Sequence, residues 1–313
     1  MSRDRSQPGL PTPRSHGRTV VLALSVVLLL VYVLGPIAWL VSSSFQSERE
    51  ITSIPPHWIP HEPTTGNYEA IVRAGTGRAA AAPGKPAADP VSGGFIPSTA
   101  SAYLPSLVNS VVVASAVAVL NLLVGIPGAY ALAKLRFRGR SFALYGILTT
   151  RVIPEIALVV PFFLFIRQLG LMDHLGSLVV TYLAVTVPFT VFILVSYFEG
   201  LPDELDRAAR VDGCSRWQVL TRVYLPLAVP SLVAVVLFAF LTSWNEFLLA
   251  LLFTQTPASQ TLPIVLASFV SDFNVSFSFL NAAGVVAIIP PVLIALVFER
   301  YIVSGLTAGA VKG

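Results

Sequence analysis

The sequence predicts an all-α membrane protein with six transmembrane helices. Of its 313 residues, 55% are hydrophobic and only 12% are charged, whereas soluble domains carry about 25% charged residues. Inside a bilayer only helices and closed barrels satisfy their own backbone hydrogen bonds, and these apolar runs lack the alternation of barrel strands. The runs cover residues 20–44, 107–132, 142–166, 175–198, 228–253 and 282–298.

The first run, 20–44, follows a basic and polar tail over residues 1–19. It is longer than the apolar region of a secretory signal and exceeds the roughly 20 residues that a spanning helix needs. No small-residue cleavage site follows it at the usual distance. We therefore expect a retained first helix.

The segment 45–104 is predicted to be an external loop. Its residues 74–100 are rich in Ala, Gly and Pro, a composition that cannot bury enough apolar surface to fold alone, so a flexible insertion is expected. The main membrane domain, with five helices, is predicted over 105–300, followed by a tail over 301–313. Pro290 and Pro291 predict a break or kink in the last span.

The distribution of Lys and Arg predicts that both termini lie in the cytoplasm. With the N-terminus inside, the inner segments hold fourteen basic residues, the outer segments hold five, and Arg151 lies within a span. The positive-inside rule favours this orientation. Because the basic residues lie at membrane edges rather than in one patch, the net charge of +4 does not indicate nucleic-acid binding.

The inner segment 200–226 has the pattern of two short amphipathic helices. Pro202 suits the first turn of one helix, Gly213 suits a left-handed cap at its end, and Ser215 suits the N-cap of the second. Leu225 and Pro226 are predicted to close it. The expected apolar sides are Leu205, Ala208, Ala209 and Val211 on the first helix and Trp217, Leu220 and Tyr224 on the second. The pattern fits a helix at the lipid surface or a docking element for a cytoplasmic partner.

The run ELDRAARVDGC at 204–214, followed by LPL at 225–227 and Pro230, resembles the EAA loop of ABC importer permeases. Arg207 stands where that family commonly has Glu, and Cys214 where it commonly has Ala. The C-terminal run GLTAGAVKG at 305–313 is similar to the tail of maltose-type permeases. Further matches are NS at 109–110, AYALA at 129–133, RFRG at 136–139, GL at 170–171, PF at 188–189, WNEF at 244–247 and TLP at 261–263.

The resemblance implies a type I importer permease fold, with residues 200–226 as a coupling-helix loop. It implies half of the pore of an ATP-driven, binding-protein-dependent sugar importer in a bacterial plasma membrane. The implied partners are a second, homologous permease, a pair of ATPase subunits and an extracytoplasmic solute-binding protein. ATP and magnesium would lie on the ATPase, because this chain has no Walker-type phosphate loop. The residues implied to couple to the ATPase are Glu204, Arg207, Ala208, Ala209, Asp212, Gly213, Leu225 and Pro226.

Four polar residues within the spans are candidates for the solute path, since charges there usually face a cavity or a partner. Arg151 and Glu155 lie four residues apart, so a continuous helix would place them on one face. They predict either contacts with the solute or an internal ion pair beside Pro154. Asn245 and Glu246 lie at the outer end of the fifth span, or at mid-membrane in a tilted helix, and solute contact and packing remain equally open.

No enzyme and no metal site are predicted, because the four histidines are scattered and no Ser/His/Asp set converges. A self-sufficient secondary transporter remains an alternative, although such a protein should show relay residues in several spans. Within the importer class, a polyol or a sugar phosphate is an alternative substrate. A phosphate site should need more buried basic residues than Arg151, which favours a neutral sugar.

Overall fold

The computed structural model describes residues 16–76, 87–88, 95–271 and 275–310. Residues 1–15 of the predicted N-terminal tail and most of the predicted insertion lie outside these ranges, whereas residues 16–19 of the tail belong to the first helix. The helices are α1 His16–Ser44, α2 Glu48–Ile51, α3 Gly66–Gly75, α4 Tyr103–Lys134, α5 Arg140–Thr149, α6 Glu155–Gln168, α7 Leu175–Glu199, α8 Asp203–Val211, α9 Arg216–Val219, α10 Leu225–Leu227, α11 Val229–Trp244, α12 Leu248–Phe253, α13 Leu262–Ser271 and α14 Phe277–Ala310. A two-stranded antiparallel pair joins β1, Ala87–Ala88, to β2, Phe95–Ile96.

Within the described residues, four helices are long and apolar enough to cross a membrane. They are Val20–Ser44, Ala100–Lys134, Leu175–Glu199 and Phe277–Tyr301. Two bent pairs raise the number to six. Arg140–Val152 meets Glu155–Gln168 at 102°, and Arg216–Leu227 meets Val229–Trp244 at 82°. The six-span prediction is therefore confirmed in number, with two spans broken rather than straight.

Of the break or kink predicted at Pro290 and Pro291, the break is wrong, because α14 continues through both residues; the kink stays a prediction. Proline already has a helical φ, and a helix within a membrane bundle can tolerate the lost N–H donor. The helix also extends through residue 310, so most of the predicted tail over 301–313 is helical.

The centre of the bundle is α4, which packs along α7 and α11. Close approach depends on Gly125, where an added Cβ would lie 2.6 Å from Cγ2 of Thr190. One turn away, Nδ2 of Asn121 donates a 2.6 Å hydrogen bond to Oγ1 of Thr186. Small residues and buried polar bonds of this kind hold helices together where water supplies no hydrophobic driving force.

Helix α1 is attached to the rest of the chain mainly at its C-terminal end. Almost all of its side chains from residue 20 to 38 are exposed, as expected of a helix facing lipid or a partner. At its end, Nδ2 of Asn281 donates to Oγ of Ser43 at 2.9 Å. Beyond it, the carboxylate of Glu48 accepts the backbone N–H groups of Phe277 and Ser278 at 3.1 and 2.9 Å. Glu48 thereby satisfies the free donors at the start of α14.

The connection between α6 and α7 is fastened to the connection between α12 and α13 by Asp173. Its carboxylate accepts the backbone N–H groups of Gln255 and Thr256 at 2.8 and 3.0 Å, together with the hydroxyls of Thr256 and Ser259. The Ser259 hydroxyl, followed by the two backbone donors, holds the pKa of Asp173 well below its ordinary value of 3.8. Hydrogen bonds to the charged form favour that form.

We expect Asp173→Asn to lower the thermal unfolding temperature of the purified chain at pH 7. An asparagine presents only one acceptor oxygen to the four donors. Because folding depresses the pKa, the carboxylate stabilises the native state above the ordinary aspartate value and loses that effect as the pH falls through its native pKa. The difference between wild type and variant should therefore shrink below pH 3.8. Equal unfolding temperatures at pH 7, or a similar loss in the control Glu62→Gln, would contradict this role.

Candidate functional site

The segment 200–226, called the knob, projects from the bundle between α7 and α11. Its first helix, α8, ends in a Schellman motif. Gly213 has φ +85°, its N–H donates to the carbonyl of Arg210 at 3.1 Å, and the N–H of Cys214 donates to Ala209 at 3.0 Å. The predicted left-handed cap at Gly213 is confirmed, because both bonds close around a residue that needs positive φ.

The second helix of the knob begins at a capping box, which confirms Ser215 as its N-cap. The Ser215 hydroxyl accepts the N–H of Gln218, and the Gln218 side chain accepts the N–H of Ser215 at 2.8 Å. The prediction that Leu225 and Pro226 close this helix is wrong. A π-helical turn, Leu220–Tyr224, leads into α10, which contains both residues. Pro226 lies in the first turn of α10, where its missing donor is tolerated.

The apolar sides predicted for the two knob helices are only partly buried. Ala209, Leu220 and Tyr224 are buried, whereas Ala208 is exposed. Val211 is 87% exposed and Trp217 is 63% exposed. Helix α8 is short, so only the side of the helix that carries Leu205 and Ala209 packs against the bundle. The other predicted coupling residues lie at the knob surface or its edge: Glu204, Arg207, Asp212, Gly213 and Pro226 are exposed and Leu225 is half-buried.

Lys134, at the end of α4, ties the knob to the bundle. Its side chain is only 6% exposed, and Nζ donates to the carbonyl of Leu201 and to Oδ1 of Asp203, both at 2.8 Å. This bond and the positive charge of Lys134 lower the pKa of Asp203. Arg140 and Glu199 form a second ion pair nearby. The first pair fastens the start of α8 to the end of α4, and the second fastens the start of α5 to the end of α7. The charge count alone did not assign this contact to Lys134.

A cavity of about 560 Å³ lies where α11 stops and α12 begins. This "membrane cavity" contains three of the four residues predicted for the solute path: Glu155, Asn245 and Glu246. The other residues that line the cavity lie on α7 or around the junction of α11 and α12: Tyr182, Val185, Thr186, Leu241, Thr242, Ser243, Phe247, Leu248 and Leu249. The fourth predicted residue, Arg151, lies beside it and donates Nη1 to the carbonyl of Val185 at 3.0 Å.

The interpretation that placed Arg151 and Glu155 on one helical face is wrong. Arg151 lies in a 3-10 turn, Thr150–Val152, and Glu155 begins α6 beyond the 102° bend. Ile153 and Pro154 are extended between them, as expected for a residue that precedes proline. Among the described residues the proposed ion pair between these two side chains is not formed.

Glu246 holds the break between α11 and α12 in place. Its carboxylate accepts the N–H groups of Leu249 and Ala250 at 2.7 and 3.0 Å, which caps α12. It also accepts the hydroxyl of Tyr182, on α7, at 2.6 Å. The sequence reasoning missed Tyr182, because its partner Glu246 lies 64 residues away in the chain. Asn245 donates to Leu241 at 2.9 Å and remains exposed to the cavity.

The membrane cavity offers amide, hydroxyl and carboxylate groups beside apolar side chains. Asn245, Thr242 and Glu155 can hydrogen-bond hydroxyl groups, and the partly exposed ring of Phe247 can cover an apolar face. Within the described part of the chain, Ser243 adds a buried hydroxyl that has no hydrogen-bond partner. Such a mixture of apolar walls and a few polar groups is typical of small-molecule sites.

Residues 122–307 match the family described as the binding-protein-dependent transport system inner membrane component. The chain belongs to this family. It is 34% identical to the sulfoquinovosyl glycerol transport system permease protein SmoH of Agrobacterium fabrum, over all of both chains. It is 33% identical to the trehalose/maltose transport system permease protein MalG of Thermococcus litoralis, over 95% of this chain and 98% of that protein.

A solved structure shows the same fold. It is a chain of a bacterial ABC transporter involved in the import of the acidic polysaccharide alginate, with a TM-score of 0.75 and 24% identity. The match covers 93% of this chain and 100% of that chain. The type I importer permease fold is therefore confirmed, and the chain is a multi-pass permease subunit of a binding-protein-dependent importer. Members of this family are transport components rather than enzymes.

Proposed function

We propose that this permease forms half of the pore of an ATP-driven importer for a neutral sugar or oligosaccharide. The permease relatives named above serve trehalose or maltose in one case and sulfoquinovosyl glycerol in the other, which supports a sugar as the solute without fixing its charge. The membrane cavity supports a neutral solute, because Glu155 and Glu246 line it whereas Arg151 is bonded to Val185 beside it. A phosphorylated or acidic sugar would meet two carboxylates there.

The knob is the docking element for a cytoplasmic ATPase pair, with both termini of this chain on the same side. The observation that carries this proposal is the exposure of Val211 and Trp217, two large apolar side chains on an element whose helix ends are capped. Aromatic residues exposed on a rigid element are typical anchors of protein interfaces. The ion pair between Lys134 and Asp203 then connects the docked ATPase to α4.

The remaining partners follow from the family. A second, homologous permease completes the pore, and a solute-binding protein delivers the sugar on the opposite side of the membrane. Nucleotide binding and the loaded binding protein each favour one of two conformations, so transport is a shift between inward-facing and outward-facing populations. No binding of nucleic acid is proposed.

We expect the double variant Val211→Asp, Trp217→Asp to lose its ATPase when a tagged chain is co-expressed and co-purified with its candidate ATPase. Removing two interface anchors should weaken binding at least about 100-fold. The matched control is Ile54→Asp, Ile59→Asp, which places the same two charges on exposed apolar residues away from the knob and should retain the ATPase. If the double variant also retains it, the knob is not the docking element. If the chain alone moves sugar in liposomes, the protein is instead a self-sufficient transporter.

A further inference from the structure

We propose that a second cavity, between the end of α4 and the knob, binds a phosphate group. This "basic pocket" has a volume of about 310 Å³ and is predominantly polar. It is lined by Tyr130, Lys134, Leu135, Arg136, Asp203, Asp206, Arg207, Arg210 and Arg216. It is separate from the membrane cavity and shares no lining residue with it.

The basic pocket has an excess of positive charge. Five of its lining side chains are cationic and two are anionic. Lys134 and Asp203 pair with each other at 2.8 Å, and Arg207 lies 3.5 Å from Glu204 outside the pocket. Asp206 is then the remaining acidic group facing Arg136, Arg210 and Arg216. A planar guanidinium offers a fork of donors that fits phosphate oxygens, so three arginines around one cavity favour this type of anion.

The pocket and the docking surface lie on different faces of α8. Residues 203, 206, 207 and 210 follow one side of the helix at spacings of three and four and line the pocket. Residues 204, 208 and 211 follow another side, where Val211 is exposed. An ATPase docked on that second side would meet the pocket at Arg207, which is also a predicted coupling residue, so the test variants leave Arg207 unchanged. The inference rests on the proposed docking role of the knob.

The height of the pocket in the membrane fits the phosphate of a lipid. Lys134 is the last residue of a spanning helix and Arg136 lies two residues beyond it, at the level where head groups of anionic lipids meet basic residues. The phosphate can come from an anionic phospholipid or from a free phosphate compound. In either case the bound phosphate would link α4, α8 and α9. It would thereby regulate coupling between the ATPase and the pore.

The test compares Arg210→Gln, Arg216→Gln with the control Arg138→Gln, Arg222→Gln, which removes the same charge from exposed positions outside the pocket. Native mass spectrometry of the full-length chain counts retained phosphatidylglycerol, and thermal unfolding is followed with inorganic phosphate and glycerol 3-phosphate. Each basic residue near an anionic surface contributes about a fivefold gain, so we expect roughly 30-fold weaker binding in the pocket variant and little change in the control. Arg136→Gln, in a loop, serves as a milder second variant.

Each result has one meaning. Loss of the lipid adduct in the pocket variants alone supports the proposal with a lipid as the source. A stabilisation by glycerol 3-phosphate that only these variants lose supports it with a free phosphate as the source. Equal losses in pocket and control variants overturn it, because the effect would then be one of net charge. Loss of the co-purified ATPase without any phosphate effect also overturns it, since the pocket would then be a protein contact, while the proposed docking role would stand.

Discussion

Replacing Gly213 with proline is expected to abolish ATPase-driven uptake while the membrane helices remain assembled. Gly213 has φ +85°, which a proline ring fixed near −65° cannot adopt. Proline also removes the N–H that donates to Arg210 at 3.1 Å. The local cost of about 3 kcal/mol or more falls on the turn that sets the angle between α8 and α9. The knob would then present Val211 and Trp217 in the wrong relative positions.

The control for this experiment is Gly213→Asn. A Cβ at this position meets no atom within 4 Å, so the only demand is positive φ, which asparagine meets at a cost of roughly 1 kcal/mol. We expect this variant to retain most of the uptake. The measurement is sugar uptake into proteoliposomes that contain the whole importer, with circular dichroism to verify the helices. Normal uptake by the proline variant would show that the turn does not transmit coupling, and equal loss in both variants would show that backbone strain is not the cause.

The turn at Gly213 and the cap at Ser215 could be predicted because each depends on residues only a few positions away. The same is true of the spans as a set, since 20 or more apolar residues exclude most alternatives whatever surrounds them. Local rules were also sufficient to place Asn245 and Glu246 among the candidates, because a charged or amide group within a span is unusual.

The size of the bends could not be predicted, because a proline marks a possible break without showing whether the helix bends there. At Pro154 the preceding residue is extended and the helix restarts at 102°, whereas at Pro290 the helix continues. Only the packing around each proline distinguishes the two. The partner of Glu246 is equally remote, since Tyr182 lies 64 residues away in the chain. The pairing of Arg151 with Glu155 was wrong because it assumed that the third span is one continuous helix.

Helix α3, unlike the bends, is marked by a local pattern in the sequence. Ala70, Ile71 and Ala74 are buried against the bundle, and their spacing of one and four residues is that of a helix face. The prediction of an external loop over 45–104 rests on its Ala-, Gly- and Pro-rich part and does not take in the amphipathic segment that precedes that part. A search for helical periodicity in the loop would have found α3.

The largest effect within the membrane is expected for Glu246→Gln. Two carboxylate oxygens accept three donors there: the N–H groups of Leu249 and Ala250 and the hydroxyl of Tyr182. A glutamine has one acceptor oxygen, and its NH₂ group would face a donor. At least one buried donor would lose its partner, at a cost of about 1–3 kcal/mol. We expect a lower unfolding temperature and strongly reduced uptake, because the start of α12 shapes the membrane cavity.

Two comparisons separate the capping role of Glu246 from contact with the solute. Tyr182→Phe removes one of the three donors and leaves the cap of α12 intact, so it should destabilise the chain less than Glu246→Gln does. Glu155→Gln changes an exposed carboxylate of the same cavity and should leave the unfolding temperature unchanged while altering the concentration of sugar that gives half-maximal uptake. If Glu246→Gln behaves like Glu155→Gln, with full stability and altered uptake, the Glu246 carboxylate contacts the solute. The break between α11 and α12 must then be held by the surrounding packing rather than by this side chain.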